Sequence, residues 1–171
     1  CKMDRRATNR HLANFIRSVR PKDCKAKVYL LHGSMTEQEV ASLYKSKKII
    51  GLISATRGEG FGLPLLEAAA SGLPIVATNW SGHKDFLDKG SWLAVDKQLI
   101  PVPNAKIDGN IFVPGAQWAQ ASSKDFTKKL KRLYKNEEEY REKAKALSLS
   151  IQKDLNFETI CLEYDKMLAS L

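Results

Sequence analysis

Between residues 27 and 78, short continuous apolar runs alternate with stripes at helical spacing. KVYLLH (27–32), IIGLIS (49–54) and PIVAT (74–78) each read as a buried strand. Between the first two, Thr36 and Glu39 stand three residues apart as a capping-box pair. Val40, Leu43 and Tyr44 then form a stripe, and Lys45, Lys47 and Lys48 follow where cations suit a helix C-terminus. Between the second and third, a helix is predicted over 63–71, with Pro64 in its first turn and Gly72 at its C-terminal end. The resulting β-α-β-α-β order predicts an α/β fold with a Rossmann-like parallel sheet flanked by helices.

The flanks are mainly helical. Ala7, Leu12, Phe15, Ile16 and Val19 predict a helix over 6–19, which Pro21 ends. In the weaker stretch 79–115, residues 91–95 and 111–113 read as strands, and Pro101, Pro103 and Asp108-Gly109 mark turns. After Trp118 the pattern turns helical. Ser122 or Ser123 caps a stripe of Phe126, Leu130, Leu133 and Tyr134, and Asn136 caps the next helix, whose first turn holds Glu137, Glu138 and Glu139. Asn156 opens the last, with Phe157, Ile160, Cys161, Tyr164, Met167 and Leu168 on one face. No linker or repeat divides the chain, so residues 1–171 are expected to form a single domain.

The stretch GEGFGLPLLEAAASGLPIVAT (58–78) carries the candidate chemistry. In an open parallel sheet, ligands bind beyond the carboxyl ends of the strands. Gly58, Gly60 and Gly62 let backbone N–H groups approach such a ligand, and the helix from Leu63 aims its free amides at the same place. These features suit a phosphate or diphosphate. Glu59 would repel a phosphate, so it is expected to face a hydroxyl-rich group such as a sugar. Glu67, one turn into the helix, can accept two hydrogen bonds from a vicinal diol. Its neighbours in LPLLEAAASG are apolar or small, which predicts a buried carboxylate in need of a partner. In the loop after 74–78, His83 is placed at the ligand edge, and Trp80 either stacks on a ligand ring or packs in the core. His32, ending its strand, is expected to bond a backbone group; His11 is expected on the surface.

Composition narrows the classes. Hydrophobic residues make up 43% and charged residues 27%, which suits a globular chain, and no apolar run is long enough for a membrane span. Cys1, Cys24 and Cys161 have neither disulfide-framework nor metal-ligand spacing, which suits a reducing, cytoplasmic compartment with peripheral membrane contact left open. The net charge is +9, and residues 1–25 supply +6 of it, eight Lys or Arg against Asp4 and Asp23. Such a surface attracts phosphorylated ligands or anionic lipid. Phe15 alone among those cations gives no stacking platform, so nucleic acid is not an expected partner. The chain opens on Cys1 rather than Met, which suggests a piece of a longer protein.

EGFGLPLLEAAASGLPIVAT resembles the nucleotide-sugar-binding segment of retaining glycosyltransferases of the GT-B fold, in the large family 4. Their hallmark is E-x7-E within EGFG-hydrophobic-P-x-x-E-A-x-A-x-G-x-P, matched by Glu59, Gly60, Phe61, Gly62, Pro64, Glu67, Ala68, Ala70, Gly72 and Pro74. NWSGHKDFL is similar to the family's Gly-Gly-x-x-Glu stretch, with Ser81 in place of the first Gly and Asp85 in place of Glu. RRATNRHLANFI resembles its basic helix, with Arg6 where the family has a phosphate-binding Lys.

The resemblance implies the C-terminal, donor-binding lobe of a GT-B enzyme, without its N-terminal acceptor lobe. Glu59 would lie against the transferred sugar as the catalytic carboxylate. Glu67 would hold the ribose, amides of Phe61, Gly62 and Leu63 would meet the diphosphate or sugar, and Gly60 would also belong to the substrate-binding loop. Arg6 or Arg5 would neutralise the leaving diphosphate. Transfer would be retaining and metal-independent, with no D-x-D pair and no cofactor beyond the nucleotide-diphosphate sugar. Half a cleft cannot orient an acceptor, so this piece alone is expected to be inactive. The alternative is a non-catalytic nucleotide or sugar-phosphate binding module.

Overall fold

A computed structural model of the chain describes residues 5–31 and 33–170, without the side chains of residues 5–7. The described residues fall into two compact units, divided between Glu39 and Val40. The first holds helix α1 (Arg5–Val19). Past it, the Arg20 guanidinium donates to the carbonyls of Cys24 (2.8 Å) and Ala26, closing the turn after Pro21. The strand predicted over 27–32 does not form across 27–31. A strand exists only with a ladder partner, and no described residue pairs with this run, which leaves Tyr29 83% exposed. His32 and its expected backbone bond lie outside the described residues. The capping box is present: Thr36 N donates to Glu39 Oε2 (2.7 Å) and Glu39 N to Thr36 Oγ1 (3.2 Å), starting α2 (Glu37–Tyr44). The Thr36 amide, then its hydroxyl, hold the Glu39 carboxyl below its usual pKa.

The second unit is built on a parallel sheet of β1 (Leu52–Ser54), β2 (Ile75–Thr78) and β3 (Leu93–Val95), in that order. Ile53 pairs with Val76, and Ala77 with Ala94. All four residues of the central strand β2 are buried, and their alternation supplies two cores. Ile75 and Ala77 face a cluster with Leu65, Ala68 and Ala69 of α3 (Leu63–Ala70) and Leu147 and Ile151 of α6 (Glu137–Asp154). Val76 faces the opposite cluster, with Leu133 of α5 (Ser123–Lys135) and Tyr140 of α6. The fold is therefore the expected Rossmann-like α/β layer, helices on both faces of a parallel sheet. Short α4 (Lys84–Leu87) follows β2, and α7 (Phe157–Ala169) ends the described chain.

The stretch after β3 differs from expectation. Residues 111–113 form no strand. Instead β4 (Lys97–Pro101) and β5 (Gln117–Ala121) make an antiparallel pair, Leu99 against Ala119. QWAQA alternates about the buried Ala119, a strand period hidden beside the strong helical stripe that follows. Of the two candidate caps of α5, Ser122 is used: its Oγ accepts from Asp125 N at 3.3 Å. Asn136 does not cap α6; its Nδ2 donates back to Arg132 O (3.0 Å), serving the end of α5. Asn156 does cap α7, accepting from Thr159 N at 2.9 Å. Ser122→Ala should cost about 1 kcal/mol, and thermal denaturation should show a melting point lower by roughly 2–4 °C. An unchanged melting point would mean that the Ser122 hydroxyl does not stabilise α5.

Candidate functional site

The loop between β1 and α3 stands at the carboxyl end of the sheet, and short bonds set its course. Thr56 Oγ1 donates to Gly58 O (3.0 Å), a turn that brings the chain back towards the sheet. Arg57 O accepts from Ala119 N of β5 (3.0 Å), and the Arg57 guanidinium lies 4.1 Å over the Trp118 ring. Farther on, Phe61 meets the buried Phe86 of α4 edge-on at 5.4 Å between ring centres. Gly62 then takes a left-handed conformation (φ 85°) that a side chain would strain. Its carbonyl accepts from Leu65 N and Leu66 N to start α3.

The result is an open row of donors. The amides of Gly60, Phe61, Gly62 and Leu63 donate to no acceptor among the described residues, and Pro64 has none to offer. A helix N-terminus also carries partial positive charge, so the row attracts an anion. Glu59 is half-buried beside it. Glu67 departs from expectation, because it is exposed rather than buried. Leu65, Ala68 and Ala69 take the buried face of α3, which leaves Leu63, Pro64 and Glu67 together on the opposite face. Glu67 therefore needs no internal partner and is free to meet a ligand. Its nearest effect is on Tyr44, whose phenol is held above its usual pKa by burial first and the Glu67 carboxylate second.

A second loop, after β2, braces the first. Ser81 Oγ accepts from Glu59 N (2.8 Å) and donates to Glu59 O, and Gly82 N donates to the same carbonyl (3.2 Å). Ser81 holds φ 83°, costly for a residue with a Cβ, which explains how a glycine could stand in its place. A Cβ on Gly82 would lie 1.9 Å from Gly60 O. The brace is what sequence reasoning missed. The two loops are remote in sequence, and a serine in a Gly-rich pattern does not announce a bond to a glutamate backbone 22 positions earlier.

His83 also sits differently from expectation. It is 0% exposed, with Nε2 2.8 Å from Thr78 O and its ring edge-on to Trp92, so it packs inside the loop, and its buried Nδ1 has no hydrogen-bond partner among the described residues. The Arg5 and Arg6 side chains lie outside the described residues. Trp80 is half-buried at the rim. Below it, Lys84 Nζ bonds Asn79 Oδ1 (2.6 Å) and Asp88 Oδ2 (2.7 Å). For Asp88, burial works against the charge and is the largest single effect. It is outweighed by hydrogen bonds from Lys84 and Trp92 and by the charges of Lys84 and His83, so the carboxyl is held below its usual pKa. A depressed folded-state pKa contributes stability above the ordinary Asp range, lost as pH falls through the folded value. Asp88→Asn should remove that component. Urea denaturation from about pH 6 to about pH 3 should show a shallower loss in the variant, and parallel curves would refute this.

No helix among the described residues is long and apolar enough to cross a membrane. The family described as "Glycosyl transferases group 1" matches residues 12–149, well over half of the chain. Two curated Escherichia coli proteins, each described as "Serotype-specific mannosyltransferase WbdA", are 36% identical over 59 residues. That match covers 34% of this chain and spans only 7% of each relative's length. No solved structure matches it significantly.

Proposed function

The chain belongs to the group 1 glycosyl transferases, and on that premise we propose that its second unit binds a nucleotide-diphosphate sugar for glycosyl transfer. The observation that carries this reading is the row of free amides from Gly60 to Leu63, with Glu59 at one side and Glu67 exposed on the helix it opens. A diphosphate on the amides would put the ribose diol within reach of Glu67 and the sugar beside Glu59. The chemistry asks little else of this lobe. As the bond from the anomeric carbon to the diphosphate breaks, negative charge grows on the leaving oxygens, and fixed N–H dipoles aimed there lower the barrier. The family resemblance, rather than any geometry, assigns Arg6 or Arg5 to the leaving diphosphate in a retaining transfer without a metal, a permanently charged fork being suited to phosphate oxygens. Glu59 would face the positive charge developing on the sugar.

In this reading the chain is the donor lobe of a two-lobed GT-B enzyme, and the acceptor is bound mainly by a lobe outside it. Transfer by this chain alone should then be undetectable, because proximity and orientation of both substrates are missing. The direct test is a thermal-shift panel of UDP-, GDP- and ADP-sugars. One nucleotide class should raise the melting point, and a panel without any response would overturn the reading.

A further inference from the structure

Beyond the carboxyl end of β2 lies a cavity of about 500 Å³ lined by Asn79, Trp80, Ser81, Lys84, Asp85 and Lys97. It falls within the usual range of small-ligand sites, about 300–1,000 Å³. Ser81 makes it continuous with the candidate site, since the same hydroxyl braces Glu59. Three properties of its wall point to one ligand chemistry. First, the half-buried Trp80 ring lines the cavity, with Lys97 Nζ over it at 5.5 Å from its centre. Second, the remaining groups are polar and of both signs. Asp85 and Lys97 have no ion-pair partner among the described residues, and Asn79, whose Oδ1 is taken by Lys84, keeps its Nδ2 donors. Third, part of the wall is held in place: Lys84 is held between Asn79 and Asp88, and the Trp80 amide donates to Thr78 O (2.8 Å).

An apolar ligand would strip water from Asp85 and Lys97 without replacing their bonds. A phosphate would meet the Asp85 carboxylate. A saccharide satisfies all three demands: its C–H face covers an aromatic ring, while its hydroxyls both donate and accept. We propose that this cavity is a saccharide subsite, in which one sugar ring lies on Trp80 and its hydroxyls reach Asp85, Asn79 and Lys97. What is then done with the sugar rests on the glycosyl-transfer reading; the recognition does not.

Two sources could supply the ring, the sugar carried by the nucleotide or a free acceptor saccharide, and titration of the 171-residue chain separates them. One arm compares a nucleoside diphosphate with the matching nucleotide sugar. The other uses free mannose-, glucose- and galactose-based disaccharides, followed by saturation-transfer NMR. In at least one arm, Trp80→Ala should weaken the sugar-dependent binding about tenfold and Trp80→Phe should restore most of it, with Asp85→Asn weakening the same arm as an independent check. Loss of the nucleotide sugar's advantage over the bare diphosphate identifies the transferred sugar; loss of disaccharide binding identifies the acceptor. Sugar-dependent binding that is absent, or unmoved by both Trp80→Ala and Asp85→Asn, overturns the subsite while leaving Glu67-dependent nucleotide binding intact. Disaccharide binding without any nucleotide response would instead overturn only the donor reading.

Discussion

Glu67→Ala should abolish the thermal stabilisation expected of this chain with the proposed nucleotide-diphosphate sugar. A ligand at 100 times its Kd stabilises a protein by about 2.7 kcal/mol, which at this chain length raises the melting point by roughly 5–10 °C. A carboxylate gripping a ribose diol makes two charge-assisted hydrogen bonds, each contributing about 1.5–3 kcal/mol. Losing both raises Kd by about a hundredfold or more, so the same ligand concentration would then shift the melting point by no more than about 1–2 °C. The exposure of Glu67 makes the test clean. An exposed helix position outside the core tolerates alanine to within about 0.5 kcal/mol, so the unliganded melting point should hardly move. Tyr44 gives an independent check. Burial and then Glu67 raise its phenol pKa, so in the variant Tyr44 should titrate at lower pH while the fold is unchanged. An undiminished shift with the ligand would refute the ribose role.

The exposure of Glu67 is concealed in the chain's pattern. LPLLEAAASG is so uniformly apolar or small that Glu67 reads as a buried charge. In the folded chain three residues, Leu65, Ala68 and Ala69, suffice to cover the sheet, and the opposite face opens to solvent. Where one element's own residues decide its geometry, the pattern was readable: the capping box of Thr36 and Glu39, the Asn156 cap, the run of β2 and, apart from the exposed Tyr134, the amphipathic α5 form as their spacing predicts. Where geometry depends on a partner, it was not. Residues 27–31 have the composition of a strand and no ladder, while β4 and β5 form a ladder from unpromising sequences. Asn136 had the right residue type for a cap and found a nearer acceptor in Arg132 O. The site divides the same way. The glycines, Glu59 and Glu67 stand out in one contiguous motif, whereas the Ser81 and Gly82 brace exists only through a contact across two loops.

Gly82→Ala tests that brace directly and should be the most damaging single-methyl change in the site. The added Cβ would fall 1.9 Å from Gly60 O and 2.8 Å from its carbon, both backbone atoms that no rotamer change can move. The two loops must separate, breaking the bond from Gly82 N to Glu59 O and loosening the pair between Ser81 Oγ and the Glu59 backbone. Overpacking of this kind costs about 1–3 kcal/mol, and roughly 2–12 °C of melting temperature for a chain of this length. Gly60→Ala supplies the contrast. Its Cβ would meet nothing within 4 Å, so the same methyl on the other partner of the contact should leave stability within about 0.5 kcal/mol of the parent. The open space it enters adjoins the free amides, so Gly60→Ala should keep the parent's melting point and lose nucleotide response, while Gly82→Ala should lower the melting point and lose the response as well. Thermal melts of the two variants with and without the nucleotide sugar distinguish these patterns. Equal stability of the two would mean that the loops are not held together by the Gly82 contact, and that Glu59 owes its position to something other than the loop after β2.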